Sequence, residues 1–212
     1  MSCAVFIFSR EVPTRVRFKE VSMRNKRVLM MVECACMVAL AFALSWVKLW
    51  QMPLGGSVTL CSMLPIMFIA IKYGGTIGLG TAFVYSLTQY AQGLIEGDVS
   101  AVSMSIGVFI VASLFDYIIP YVCLGVAGVF RKKGDVGVFL GMCLALFLRL
   151  SCHYITGVTI WRQWTPDGWN SWIYSAAYNG GYLIPDFAIT IAAAIIMLKQ
   201  KQIRRLVGLS IE

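Results

Sequence analysis

The chain has 212 residues, of which 59% are apolar and 13% charged, about half the quarter that soluble domains usually carry. With a mean hydropathy of +0.77, this composition excludes a soluble globule and predicts a polytopic membrane protein. The net charge of +8 is spread over short connecting segments, which argues against a nucleic-acid patch.

Apolar windows of about 20 residues, enough to cross a bilayer core, predict an all-α bundle of six transmembrane helices. They fall at 28–47, 58–72, 75–95, 104–130, 136–161 and 172–198. Residues 23–212 read as a single membrane domain, and residues 1–22 as a basic N-terminal arm. Met1–Phe8 is apolar and is followed by arginines, the reverse of a signal peptide. Met23-Arg24-Asn25-Lys26-Arg27 before a hydrophobic helix reads as a natural start. One expectation is therefore translation from Met23, and the other is an arm lying on anionic headgroups.

In the first span, Ala35, Ala39 and Ala43 recur every fourth residue, a small face that lets another helix approach closely. It could equally fill the bundle interior. The second span is short and carries Pro65. The fourth span holds Asp116, about 12 residues from its outer start near Met104, or roughly 18 Å deep. The fifth holds Arg149 at a similar distance from its outer end at Trp161. Charges at such depth are costly and face a cavity or a partner, so the matched depths predict that Asp116 and Arg149 pair across a polar pocket.

Arg149, His153, Gly157 and Trp161 form one stripe along the fifth helix. Above it runs a Trp-rich loop, Trp161 to Trp169, placed to close over a ligand. The sixth span begins at Trp172 and sets Tyr174, Tyr178 and Asn179 in its outer third. The rival reading of these tryptophans is an interfacial aromatic belt.

Fifteen of the 18 basic residues fall between Arg10 and Arg27, at Lys72, at Arg131 to Lys133, and from Lys199 to Arg205. The positive-inside rule then places both termini in the cytoplasm. The seven cysteines have no metal or redox spacing, and a single His leaves a zinc site short of ligands. No cofactor or metal is expected. Walker A, H-E-x-x-H and G-x-S-x-G motifs are missing, so an enzyme is not expected either.

These residues resemble those of the thiamine-specific substrate-binding (S) components of energy-coupling factor vitamin transporters. The resemblance runs from about Arg27 to Lys199. It rests on Gly55-Gly56-Ser57-Val58-Thr59 before Ser62-Met63-Leu64-Pro65, on Asp116-Tyr117 followed by Leu124-Gly125-Val126-Ala127-Gly128, on Arg149-x-x-x-His153-x-x-x-Gly157, on Trp161, and on Tyr174 with Asn179-Gly180. It implies thiamine binding by Asp116, Tyr117, Arg149, His153, Trp161, Tyr174 and Asn179. It also implies that Ala35, Ala39 and Ala43 meet a transmembrane coupling subunit, with ATP hydrolysis supplied by two separate ATPase subunits. Some members place a Trp in the first outer loop where this chain has Gly56, so either Trp46 or Trp50 covers that side or nothing does. Some carry Glu and Lys where Asp116 and Arg149 stand. A proton-coupled thiamine carrier titrating Asp116, His153 or Asp186, and an S component for another vitamin, remain alternatives.

Overall fold

A computed structural model describes residues 14–53, 55–97 and 105–210, with side chains from Asn25 onward. The chain divides into two units, 1–33 and 34–212. The expectations placed on residues 1–13 and on Met104 lie outside the described residues.

The elements in order are α1 (Thr14–Ser45), β1 (Lys48–Gln51), β2 (Ser57–Thr59), α2 (Leu64–Tyr73), α3 (Gly75–Glu96), α4 (Ile106–Ala112), α5 (Ile119–Val122), α6 (Gly134–Thr159), α7 (Ser171–Leu198) and α8 (Lys201–Leu206). Each of the six predicted spans overlaps a helical segment. Asn25–Ser45, Ile106–Thr159 and Ser171–Leu198 are long and apolar enough to cross a membrane, and the second of these includes two predicted spans. Large apolar side chains such as Phe83, Leu87, Phe147, Ile155, Ile184 and Ile196 point outward, as a protein solvated by lipid requires. The chain is a multi-pass α-helical membrane protein.

The second predicted span departs most from expectation. Residues 57–59 form an antiparallel hairpin with Lys48–Gln51, and α2 starts only at Leu64. Two causes are visible, one local and one distant in sequence. Pro65 lies in the first turn of α2, where its missing N–H costs nothing. The Thr59 N–H is taken by Asp186 Oδ1 on α7 at 2.9 Å, and the Thr59 hydroxyl donates to the same oxygen at 3.2 Å. What remains of the span is ten residues, about 15 Å of helix. Leu64 to Ile71 are all buried, so α2 is a core helix wrapped by its neighbours. Arg131 closes its end, donating to the Lys72 carbonyl at 2.5 Å and to that of Ile71 at 3.2 Å.

The fourth span is helical but broken. After α4 the turn widens over Ser113–Ile118, and the Ile119 N–H reaches back five residues to the Leu114 carbonyl. Pro120 supplies the reason. It has no N–H for the Asp116 carbonyl, and its ring would clash with that carbonyl in a regular helix. Such widened turns recur at functional sites. Beyond α5 the chain tightens into a 3-10 helix at Cys123–Gly128. There a Cβ on Gly128 would overlap the backbone of Ala70, so the close approach of this segment to α2 requires glycine.

Candidate functional site

Unit 34–212 encloses a cavity of about 420 Å³, within the range of small-molecule sites. The widened turn presents Asp116 and Tyr117 to it. The upper turns of α6 present Arg149, His153, Thr156 and Gly157, and α7 contributes Tyr174, Ser175, Tyr178, Asn179 and Tyr182. Trp161 enters from a 3-10 turn, Trp161–Trp164, that follows α6. All seven residues singled out in the sequence therefore line one cavity.

The expected pairing of Asp116 with Arg149 does not form. Asp116 Oδ2 accepts from the Trp161 indole at 2.5 Å. Its Oδ1 accepts from the Thr156 hydroxyl and lies 3.4 Å from His153 Nδ1. Arg149 instead lays its guanidinium over the Tyr121 ring, 4.3 Å from the centroid, and donates to the Tyr121 hydroxyl at 3.2 Å. Its Nε is buried with no hydrogen-bond partner among the described residues. Matched depth was a sound guide to a shared layer. On α6, however, His153 lies one turn from Arg149 on the same face, and it is His153 that meets the carboxylate.

With Nδ1 of His153 toward Asp116, the opposite ring nitrogen, Nε2, is buried without a partner among the described residues. Asn179 is held on all sides. Its amide donates to the His153 carbonyl at 3.1 Å and to the Ser175 carbonyl at 3.0 Å, and its oxygen accepts from the Tyr182 hydroxyl at 3.2 Å. Tyr174, Tyr178 and Tyr182 recur every fourth residue along α7 with successive centroids 6.0 Å apart, an aromatic ladder down the wall. Tyr117 packs edge-on to Tyr90 at 5.8 Å, and a Cβ on Gly93 would overlap the Tyr117 ring.

Of the tryptophans assigned to the first loop, Trp46 and Trp50 are both about half exposed and neither lines the cavity. That wall is built from Gly55, Gly56 and Ser57 of the hairpin turn. A side chain on Gly56 would overlap the Tyr182 ring, so Tyr182 packs directly against this turn. Trp164 does line the cavity, whereas Trp169 and Trp172 do not. Both are more than half exposed.

The α3 wall went unread in the sequence. Gln89, Gln92 and Glu96 face the cavity together with Ser45 and Lys48. Lys48 pairs with Glu96 at 2.7 Å. The signal was available, because polar residues at i, i+3 and i+7 in an apolar span mark one face and are costly in lipid.

A largely apolar exterior around a cavity lined with charges, aromatic faces and amides is the architecture of a membrane protein with a small-molecule site. The chain belongs to the thiamine transporter protein family (Thia_YuaJ), whose model matches residues 31–206. It is 31% identical over 180 residues to the thiamine transporter ThiT of Bacillus subtilis, covering 78% of this chain and 88% of the relative. It is 24% identical over 187 residues to ThiT of Lacticaseibacillus paracasei, covering 82% and 89% respectively. The crystal structure of ThiT from Listeria monocytogenes superposes with a TM-score of 0.70 at 22% identity, covering 88% of this chain and 100% of that one. At that identity the superposition speaks for the fold. The family is one of transporters and not of enzymes.

Proposed function

We propose that this chain is the thiamine-binding S component of an ATP-driven energy-coupling factor importer. The vitamin would sit in the outer half of the membrane, with both termini in the cytoplasm. The observation that carries the reading is the convergence of Asp116, Tyr117, Arg149, His153, Trp161, Tyr174 and Asn179 on one cavity of about 420 Å³, in a chain whose relatives are named thiamine transporters.

The chemistry of the cavity suits the vitamin. The permanent thiazolium cation is met by the Asp116 carboxylate and by aromatic faces, worth about 2 kcal/mol when desolvated. The flat aminopyrimidine stacks on Trp161 and Tyr174 and offers donor and acceptor edges to His153 and Asn179. Arg149, held away from Asp116 by Tyr121, leaves that carboxylate free to balance the cation.

Ala35, Ala39 and Ala43 are all exposed, which favours an external helix contact over packing inside the bundle. We assign this face to the coupling subunit, with two ATPase subunits driving transport. Calorimetric titration of the purified chain with thiamine tests the binding role, and no binding would end it. Reconstitution of the chain alone in liposomes tests the coupling. Concentrative uptake driven by a proton gradient would replace the S-component reading with that of an autonomous carrier.

A further inference from the structure

The polar network on α3 has one end left open. Gln92 donates to the Ser45 carbonyl at 3.5 Å and to Glu96 Oε1 at 3.1 Å. Both of those groups can only accept, a carbonyl and a carboxylate paired with Lys48, so the Gln92 amide nitrogen must face them. Gln92 Oε1 then points inward, where it accepts from the Ser45 hydroxyl at 2.6 Å and from Gln89 Nε2 at 3.1 Å. Gln89 Nε2 also donates to the Ser45 hydroxyl at 3.0 Å.

Both amide hydrogens of Gln89 are thereby used. Turning its amide over would set oxygen against oxygen at Gln92, so Glu96 fixes the orientation of Gln89 through Gln92. The remaining group is Gln89 Oε1. Among the described residues none donates to it, although Gln89 is 7% exposed and lines the cavity. With both amide hydrogens engaged by protein groups, the carbonyl is what Gln89 has left to offer at the cavity wall, and a fixed carbonyl selects what it will accept.

We propose that Gln89 is a specificity-determining residue of this cavity, its side-chain carbonyl accepting a hydrogen bond from an N–H or O–H group of the ligand. The assignment rests on the thiamine reading above. Thiamine has two such donors, the exocyclic amine of the pyrimidine and the primary alcohol. Lys48 neutralises Glu96 at 2.7 Å, so the α3 wall offers a directed dipole where the Asp116 wall offers a charge.

The test is equilibrium titration of the full chain and its Gln89→Met variant with three ligands: thiamine, its analogue without the amine and its analogue without the hydroxyl. Gln89→Met should weaken thiamine about tenfold or more, in keeping with a donor left unsatisfied in a buried site. The analogue that lacks the matching donor should bind both proteins within about twofold, which also reports an intact cavity. If Gln89→Met does not fold, Gln92→Met carries the same comparison, since it leaves Gln89 in place and removes what orients it. Thiamine affinity within twofold of wild type, or equal losses for all three ligands, would overturn the assignment while leaving the thiamine reading intact. A wild-type chain that does not bind thiamine would overturn both.

Discussion

The Trp161 indole donates to Asp116 Oδ2 at 2.5 Å, and this bond ties a residue in the turn after α6 to one in the widened turn between α4 and α5. An aromatic face and a carboxylate are thus held as one unit. Trp161 and Thr156 both donate to the Asp116 side chain, and His153 Nδ1 lies 3.4 Å from its Oδ1. The geometry fixes the direction of the Asp116 carboxyl before any ligand arrives.

Asp116→Asn should therefore do more than remove a charge. One of its two terminal atoms becomes a donor and must face either the Trp161 N–H or the Thr156 hydroxyl. Thiamine binding should weaken tenfold or more by calorimetry, and the intrinsic tryptophan fluorescence should shift in the unliganded protein. Unchanged affinity would remove Asp116 from the binding residues.

Trp161 can be divided into its two roles. Trp161→Phe keeps a ring face and loses the N–H, while Trp161→Ala loses both. The alanine variant should bind thiamine more weakly than the phenylalanine variant by about tenfold, corresponding to about 1.4 kcal/mol. Equal affinities in the two variants would show that the ring face contributes nothing and that the bond to Asp116 is the whole effect.

Asp186 is 1% exposed and holds both donors of Thr59. Asp186→Ala leaves the Thr59 N–H without an acceptor inside the bundle, at a cost of about 1–3 kcal/mol. Thermal unfolding in detergent should show a lower midpoint, and the loss should persist with thiamine present. A midpoint equal to wild type would mean that the hairpin is held by its other contacts.

Ala39 is exposed on α1 and is not among the residues lining the cavity. Bulk at such a position holds helices apart. Ala39→Trp should leave thiamine affinity of the isolated chain near normal and sharply reduce ATP-dependent uptake in the assembled importer. Normal uptake would show that the coupling subunit docks elsewhere.

That the site residues gather at one cavity was legible in the sequence, and which of them touch was not. Asp116, Arg149, His153 and Asn179 announced a shared layer because polar side chains in apolar spans demand company. Their distance from the span ends placed them at similar heights. Which of them touch depends on rotation about each helix. A regular helix was assumed for residues 104–130, whereas Pro120 widens the turn that carries Asp116. The hairpin escaped notice for a related reason. Hydropathy counts residues 57–59 as apolar span, but the acceptor that holds Thr59 in a strand is 127 residues away in sequence. Gln89 and Gln92 were passed over because neutral amides raise less alarm than charges, although their burial is as deep as that of Arg149.

The hairpin has a consequence for how this protein can vary. Non-helical backbone at membrane depth is tolerated where protein or a cavity surrounds it, and here Gly55, Gly56 and Ser57 put main chain at the cavity wall. Peptide groups offer the same N–H and C=O whatever side chains they carry. At Gly55 and Gly56 the ligand would meet a surface written in the polypeptide itself, since neither residue has a side chain to present. Gly56 cannot gain one without displacing the Tyr182 ring.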